Sequence, residues 1–351
     1  MTQSTTTNPG PPADAPMPVV RVSTDLFLPA ARRLVSQTNA SIEDAARRLV
    51  ESAPRHGIDM SLCFVTLEAP SRPLRAGRAG KAQPVVRQAC LAVKGSGRTA
   101  MLFISEPSVG ELEAPEARDE RVACIRAAVD LLAREHARDV GLVQALPEPE
   151  EIWTTEACDQ AGFIRVGDLS YLRCPPLKAR DAQRLAHEFD DRAPWPEGVE
   201  ILRCSDLPPS LLDDLLGEAL ESSYVDTLDC PELSGLRSKA DVIDSHRSIG
   251  RYDPSTWWLV QRNGKPRGCM LLSGCPDQRA TELVYLGLAP ELRHAGMGKR
   301  LLAMGLQTMR RIHPTWGVTC AVDERNTPAL RLYDRLGFER VARRVALVRP
   351  I

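Results

Sequence analysis

The sequence lacks several features that would assign it to a common class of protein. None of its 10 cysteines forms a Cys-x-x-Cys pair, so the spacing typical of a zinc site is missing. No apolar run approaches the roughly 18 residues that a membrane-spanning helix needs. With 45 basic and 46 acidic residues, the formal net charge is −1, and no overall excess of charge favours nucleic acid or an anionic membrane. We therefore expect no metal, no nucleic-acid partner and no membrane partner.

The cysteines and the first residues predict a cytoplasmic protein. Most cysteines lie inside apolar runs, as in Leu62-Cys63-Phe64-Val65, where a thiol behaves as a small hydrophobe. Reduced core cysteines are typical of cytosolic proteins. Residues 1–18 are rich in Thr, Pro and Ala but lack the basic start and apolar centre of a signal peptide, so we expect a disordered tail there.

The two commonest phosphate-binding motifs are also missing. The chain has neither the G-x-x-x-x-G-K-[ST] spacing of a P-loop nor a complete G-x-G-x-x-G fingerprint. It has instead Arg293-x-x-Gly296-x-Gly298, between an apolar strand and an amphipathic helix. The glycines let successive backbone N–H groups turn toward one point, which the positive end of the helix dipole also faces. A tight strand-to-helix turn without any ligand remains the alternative interpretation of this motif.

Two motifs in order resemble those of the GNAT superfamily of acyl-CoA-dependent N-acyltransferases. Leu286-x-Leu288-x-Pro290 precedes the glycine motif, and Asn326-x-x-Ala329-x-x-Leu332-Tyr333-x-x-x-Gly337-Phe338 follows it. The resemblance is close over about 281–341 and extends more weakly back to about 199. It implies acetyl-CoA as the donor co-substrate, and an amine of a small molecule or peptide as the acceptor.

The resemblance also implies which residues contact acyl-CoA. In this family the pantetheine arm pairs with the strand that here ends at 286–288, and backbone N–H groups of 294–299 hold the pyrophosphate. The residues at the cofactor positions are Leu286, Leu288, Arg293, His294, Ala295, Gly296, Met297, Gly298, Lys299, Arg300 and Asn326. The alternative roles are a solvated helix face for Lys299 and Arg300, a turn-shaping role for Arg293 and a turn cap for Asn326.

Tyr333 and Glu282 are the predicted catalytic residues. A neutral phenol, with a reference pKa of about 10, can protonate a departing thiolate, and Tyr333 matches the family's Leu-Tyr dipeptide. Two-residue alternation places Glu282 on one face with Val284, Leu286 and Leu288, where desolvation would raise its pKa and suit a base. Similar tandem acetyltransferases, such as mycothiol synthase, have a glutamate at this place. A core tyrosine and an exposed strand-end carboxylate are the structural alternatives.

The N-terminal half contains a faint copy of the C-terminal half. Residues 161–166 match residues 336–341 at an offset of 337 − 162 = 175, so Gly296 and Gly298 correspond to Arg121 and Ala123. We expect these side chains to crowd the phosphate turn, which leaves the copy noncatalytic. The predicted fold is α/β, with two tandem GNAT-like domains, each a mixed, mostly antiparallel sheet flanked by helices, and with a degenerate N-terminal copy.

The predicted domain limits follow from this copy and from the Pro-rich stretch between the halves. They are a tail at 1–18, a degenerate domain at 19–175, a linker at 176–198 and a catalytic domain at 199–351. In the C-terminal half the pattern predicts strands at 199–203, 257–262, 267–273, 282–288 and 318–322, and helices at 207–221 and 299–312. Asn263-Gly264 predicts a hairpin turn. A further helix is expected to have Thr327 as its cap and Pro328 at its first position.

These features together predict an N-acetyltransferase in which a primary amine attacks acetyl-CoA directly. The acceptor pocket is expected among Tyr224, Asp226, Asp229, Arg237 and His246. A noncatalytic acyl-CoA sensor or scaffold would carry the same binding motifs, and retention of Tyr333 and Glu282 favours the enzyme. A protein N-terminal or lysine acetyltransferase would differ only in its acceptor. The sequence indicates neither the acceptor nor the oligomeric state.

Overall fold

The structure, a computed structural model, describes residues 18–35, 41–68, 84–107, 115–176, 194–294 and 296–351. The chain forms two compact units, and each is built from three separate segments of the sequence. The first comprises Met1–Val93, Leu102–Glu135 and Glu156–Gly162, and the second comprises Lys94–Met101, His136–Thr155 and Phe163–Ile351. Most of the predicted tail and linker lies outside the described residues, and the predicted domain limits stay predictions.

The first unit contains three antiparallel strands and the helices around them. The strands are β1 (Val19–Arg21), β2 (Cys63–Leu67) and β3 (Val86–Gly95), and β2 pairs with both others. The helices are α1 (Phe27–Leu34), α2 (Ile42–Ser52) and α3 (Pro115–Glu135). Small buried residues such as Ala30, Ala46 and Ala89 fill its core, so the helices approach the strands closely.

Three elements, β3, β4 (Thr99–Ile104) and α4 (Ile152–Gln160), have residues in both units. The other elements lie in the second unit. Its strands are β5 (Leu142–Ala145), β6 (Ile164–Cys174), β7 (Val199–Arg203), β8 (Trp257–Arg262), β9 (Lys265–Cys275), β10 (Ala280–Leu288), β11 (Gly317–Asp323) and β12 (Glu339–Pro350). Its helices are α5 (Pro209–Tyr224), α6 (Lys239–Ser248), α7 (Met297–Ile312) and α8 (Thr327–Arg335).

The sheet of the second unit is mixed and mostly antiparallel, as predicted. Its strands lie in the order β4-β5-β12-β6-β11-β10-β9-β8-β7. Only β4 with β5 and β10 with β11 pair in parallel among these described strands. Along β9, Met270 and Leu272 pack on the α7 side while Cys269 and Leu271 pack on the α5 side. This two-residue alternation gives the sheet one apolar core on each face.

The local turn signals of the C-terminal half are confirmed, with one correction. Asn263 and Gly264 both have positive φ, 51° and 72°, as a two-residue hairpin turn between β8 and β9 requires. The predicted N-cap of α8, Thr327, is wrong by one residue. Asn326 is the cap, and its side chain accepts a hydrogen bond from the Ala329 N–H at 3.2 Å. An Asn oxygen reaches the first free N–H groups of a helix well, so Thr327 begins the helix instead.

The two halves of the chain repeat the same series of elements, which confirms the tandem fold. Each half runs strand, two helices, three strands, helix, strand, helix, strand. The offset of 175 carries α4 (Ile152–Gln160) onto α8 (Thr327–Arg335), residue for residue. The copy nevertheless differs at the predicted phosphate turn. Helix α3 begins at Pro115, so the positions matching Gly296 and Gly298 lie inside a helix, and no turn exists there to be crowded.

The last strands of the two halves have exchanged places in the sheet. Strand β12 of the C-terminal half pairs with β5 of the N-terminal half. Strand β6 of the N-terminal half pairs with β11 of the C-terminal half. Strands β6 and β12 also pair with each other between those two neighbours. Residues from the N-terminal half of the sequence therefore complete the sheet next to the C-terminal site. Separately, the described residues contain no helix with the length and apolar character needed to cross a bilayer.

Candidate active site

A β-bulge in β10 decides which of its side chains face which core. The register with β9 shifts between Leu283 and Tyr285, so one extra residue is inserted there. Val284 and Tyr285 then pack on the α5 side, whereas Leu286 and Leu288 pack on the α7 side. The prediction that Glu282 shares one face with Val284, Leu286 and Leu288 is therefore wrong, because simple alternation fails at a bulge.

A cleft of about 620 Å³ lies where β10 ends and α7 begins. The end of α5 with the following loop, the end of β10, the glycine turn and α8 form its walls. The predicted cofactor residues that line it are Leu286, Leu288, Arg293, His294, Gly296, Met297, Gly298, Lys299 and Asn326, and Tyr333 lines it as well. Ala295 lies outside the described residues. Arg300 and Glu282 are not among the described residues of the lining.

The glycine turn presents the N-terminus of α7 to this cleft. Gly296 is the N-cap with φ 73°, and a Cβ built on it would meet nothing within 4 Å, so backbone conformation and not space requires glycine. The bond from the Arg300 N–H to the Gly296 carbonyl, at 3.1 Å, closes the first helical turn. The first N–H groups of a helix have no acceptor within the helix, and those of Met297 and Gly298 precede this bond. A Cβ at Gly298 would lie 3.7 Å from Leu332, an ordinary contact.

Arg293 holds the wall of the cleft together. Its guanidinium donates to the carbonyl oxygens of Leu288 at 2.9 Å, Asp226 at 2.9 Å, Ser223 at 3.0 Å and Val225 at 2.7 Å. These carbonyls belong to the end of β10 and to the C-terminus of α5 with its loop. A cation near the C-terminal carbonyls of a helix is also favoured by the helix dipole. The side chain therefore joins the turn to the loop opposite, which is the turn-shaping role.

The basic residues near the turn have different surroundings. The Arg300 guanidinium stacks 3.9 Å from the centre of the Trp195 ring and donates to the Pro194 carbonyl at 3.0 Å. Lys299 lines the cleft, and so do Arg331 and Arg335 on α8. Sequence reasoning missed the last two. Their i, i+4 spacing, on the helix that also carries Tyr333, was the available signal.

Tyr333 is a buried tyrosine at the inner wall of the cleft. Only 6% of its surface is exposed, and its ring lies 5.3 Å from that of Phe338 between centroids. Burial raises the pKa of its hydroxyl well above the usual 10, and Cys320 and Asp229 add to the rise. The phenol therefore stays protonated at neutral pH, as a proton donor to a thiolate must.

Glu282 lies deeper in β10, beside β11. It is partly buried, and its carboxylate accepts a hydrogen bond from the Thr319 hydroxyl across the parallel strand pair. Burial raises the pKa of the carboxyl, and the Thr319 bond opposes that rise. The direction agrees with the prediction for a base. The position, however, is apart from the described lining of the cleft.

The predicted acceptor residues divide into two groups. Tyr224, Asp226 and Asp229 line the cleft. Arg237 does not, because its guanidinium bonds to the carbonyls of Gly97 at 3.0 Å and Asp241 at 2.6 Å. His246 is likewise absent from the described lining. Burial, helped by the charge of Arg237, lowers its pKa from 6.5 to about 4, so the imidazole is neutral at physiological pH.

Tyr285 is a further cleft residue that sequence reasoning did not single out. Its hydroxyl lies 2.7 Å from the Ser223 hydroxyl at the end of α5, and its ring packs against those of Tyr224 and His246. Burial raises the pKa of its hydroxyl well above 10. The bulge in β10 places this ring in the cleft, and a bulge has no reliable signal in a single sequence.

The region that forms the site is similar to known acetyltransferases. Residues 222–338 match the family model described as Acetyltransferase (GNAT) family. A mycothiol acetyltransferase of Thermomonospora curvata is 38% identical over 92 residues, 26% of this chain and 30% of that protein. One from Streptomyces griseus is 30% identical over 97 residues, 27% of this chain and 31% of that protein. The matches thus span less than a third of these curated relatives.

A solved structure extends the likeness of fold over the whole chain. A GCN5-related N-acetyltransferase from Sphaerobacter thermophilus aligns with a TM-score of 0.54 at 17% identity, and the alignment covers 95% of each chain. At that identity the likeness is one of fold. Both halves of the chain are included in it.

Proposed function

We propose that this chain, whose residues 222–338 match the GNAT acetyltransferase family, is an N-acetyltransferase that uses acetyl-CoA. The acceptor is a primary amine on a small molecule or a peptide. One observation carries the proposal: the same cleft is lined by a glycine turn at a helix N-terminus and by a buried, protonated tyrosine. Acyl transfer from acetyl-CoA requires an anion site for the pyrophosphate and a proton donor for the leaving thiolate.

The residues of the cleft fit acetyl-CoA. The N–H groups of Met297 and Gly298 and the side chains of Lys299, Arg331 and Arg335 would supply donors and positive charge for phosphates. The space around Gly296 is open, so a phosphate can approach the backbone there. The end of β10, at Leu286 and Leu288, borders the same cleft and would align the pantetheine arm. When bound, acetyl-CoA supplies an acetyl group activated as a thioester.

The protein's own residues would then transfer protons and position the acceptor. Tyr333 holds a proton at its hydroxyl for the leaving thiolate. Glu282, the base predicted from the sequence, bonds to Thr319 and lies apart from the described lining of the cleft, so we propose a base among the residues of the cleft itself. Tyr224 and Tyr285 line the same cleft and would contact the acceptor.

The test is a calorimetric titration with acetyl-CoA, followed by thiol release on a panel of primary amines. We expect one binding site per chain and release that depends on the amine. Gly296→Glu should abolish binding, because it adds a carboxylate and strained backbone at the phosphate position. Gly235→Glu is the matched control: Gly235 also has positive φ and open space, but it is outside the described lining of the cleft.

Three outcomes separate the possibilities. Binding lost only in Gly296→Glu, with amine-dependent release by the natural chain, supports the acetyltransferase. Binding without release on any amine supports a noncatalytic acyl-CoA sensor. An absence of binding overturns the proposal.

A further inference from the structure

The described lining of the cleft contains two acidic residues, Asp226 and Asp229. Asp226 has positive φ and is exposed, and its backbone carbonyl accepts a hydrogen bond from the Arg293 guanidinium. The Asp229 side chain is itself held. One of its carboxylate oxygens accepts a hydrogen bond from the Asp323 N–H at 2.8 Å. Of the two carboxylates, that of Asp229 is thus fixed in position.

The backbone next to Asp229 is fixed as well. The Asp323 side chain is fully buried, and its carboxylate accepts from the Cys230 N–H at 3.1 Å and from the Arg325 guanidinium at 2.7 Å. Arg325 also makes two bonds to the Glu232 carboxylate, at 2.6 and 2.8 Å. The loop that carries Asp229 is therefore clamped to the end of β11. A carboxylate held this way is preorganised, so binding a ligand does not cost the conformational entropy of ordering it.

The charge of Asp229 reaches the tyrosines of the cleft. It contributes to the raised pKa values of Tyr224, Tyr285 and Tyr333. These residues border the same space, so Asp229 lies within electrostatic range of the tyrosine proposed as the acid. A base and an acid on either side of one reacting centre are what transfer to an amine needs.

Asp229 also has the electrostatic character of a base. Its surface is exposed to the cleft, while desolvation by the protein around the carboxyl raises the pKa of that group above the ordinary value of 3.8. The nearby Asp323 charge raises that pKa further, while the Asp323 N–H bond and Arg325 lower it. A carboxylate with a raised pKa accepts a proton from an ammonium more readily than an ordinary aspartate does.

We infer that Asp229, and not Glu282, binds the ammonium group of the acceptor and takes its proton. This inference rests on the proposed acetyltransferase function. One N–H proton moves to the Asp229 carboxylate, and the freed amine forms a C–N bond to the acetyl carbon as the C–S bond breaks. The thiolate takes the Tyr333 proton, and the second proton lost by the nitrogen returns to Tyr333. Asp229 then releases its proton to water.

The inference also defines the class of acceptor. A fixed carboxylate favours amines that are cationic at neutral pH, such as alkylamines, over aromatic amines and alcohols. The ring faces of Tyr224 and Tyr285 can contact the carbon atoms beside that ammonium or the cation itself.

The experiment compares Asp229→Asn with Glu282→Gln, using an alkylamine found in the panel and saturating acetyl-CoA. We expect Asp229→Asn to lower kcat/KM for the amine about 100-fold or more. It should also remove the fall in activity at acid pH that protonation of the natural carboxylate causes. Affinity for acetyl-CoA should be unchanged, and Glu282→Gln should stay within about threefold of the natural chain, since only Asp229 takes the proton.

Folding is controlled within the same set. The amide oxygen of Asn can still accept from the Asp323 N–H, so the loop keeps this bond and the melting temperature should change little at pH 7. Asp244→Asn, on the exposed face of α6 and outside the described lining of the cleft, is the matched control and should behave as the natural chain.

The results distinguish failure of the inference from failure of the proposed function. The inference is overturned if the natural chain releases thiol and Asp229→Asn keeps both the natural rate and the fall in activity at acid pH, which is the acid limb of the pH–rate profile. Loss of that limb in Glu282→Gln alone would return the base role to Glu282, and loss in Asp226→Asn alone would move it to Asp226. If the natural chain releases no thiol with any amine, the proposed function itself fails.

Discussion

Tyr333 illustrates how burial sets the chemistry of a single side chain. The protein around it opposes ionisation, so its hydroxyl carries a proton at any physiological pH. The same surroundings make the ring part of the core beneath α7, next to Leu336 and Phe338. A core role and the proposed catalytic role therefore coincide in one residue, and a variant must separate them.

Tyr333→Phe makes that separation, because it removes the hydroxyl and keeps the ring. We expect the maximal rate of thiol release to fall about 100-fold or more, since the leaving thiolate loses its proton donor. Affinity for acetyl-CoA and the melting temperature should change little. Tyr252→Phe, whose ring packs 4.7 Å from that of Trp257 and is outside the described lining of the cleft, is the control. Full turnover in Tyr333→Phe would contradict the assigned role.

At the scale of elements, Arg293 links the strand that ends at the cleft to the helix that faces it. Four backbone carbonyls from β10 and from the end of α5 with its loop converge on one guanidinium. The planar fork of arginine has five N–H donors in a fixed arrangement, which a lysine ammonium cannot reproduce. The donor turn and the loop that leads to Asp229 thus depend on the same side chain.

Arg293→Lys should weaken this link without removing the charge. We expect the free energy of unfolding to fall by about 1–3 kcal/mol, because four backbone carbonyls, of which those of Leu288 and Ser223 are in partly buried bonds, lose donors. KM for the amine should rise several-fold as the loop after α5 shifts. Denaturant unfolding and steady-state kinetics measure the two effects. Arg267→Lys, at a partly exposed ion pair with Glu291, is the control and should cost less than about 1 kcal/mol.

An unchanged acceptor KM in a destabilised Arg293→Lys variant would show that Arg293 supports the fold alone. The loop would then keep its position through the clamp formed by Asp323 and Arg325.

At the scale of the whole molecule, the exchange of β6 and β12 makes the C-terminal site depend on the N-terminal half. Strand β6 pairs along β11 from Leu169 to Cys174 and lies between it and β12. Without β6, both neighbours would expose unpaired N–H and C=O groups along a strand edge. Such edges pair with other chains and promote aggregation.

A chain truncated to residues 199–351 should therefore fail to give a cooperatively folded monomer. We expect aggregation or a broad unfolding transition, seen by light scattering and by circular dichroism on heating. A chain of residues 163–351, which retains β6, should aggregate less and unfold more cooperatively. If residues 199–351 alone formed a monomer with a sharp transition, the exchanged strand would not be needed for the fold.

The sequence predicted well the features that depend on neighbouring residues. The Asn263-Gly264 turn, the start of α7 at the glycine pair and the strand at Val199–Arg203 were all found as expected. Even the one error at the α8 cap was a shift of a single residue, from Thr327 to Asn326. Dihedral preferences and capping bonds act within a few residues, so they can be recognised in a single sequence.

What the sequence determined by itself was thus the order of elements, their duplication and the phosphate-type turn with Tyr333 beyond it. Only the tertiary structure decided the bulge that turns Tyr285 into the cleft, the clamp that places Asp229 there and the exchange of β6 with β12. Each of these depends on contacts between residues distant along the chain. Such contacts are selected by packing and by the pairing of buried polar groups, and no local pattern encodes them.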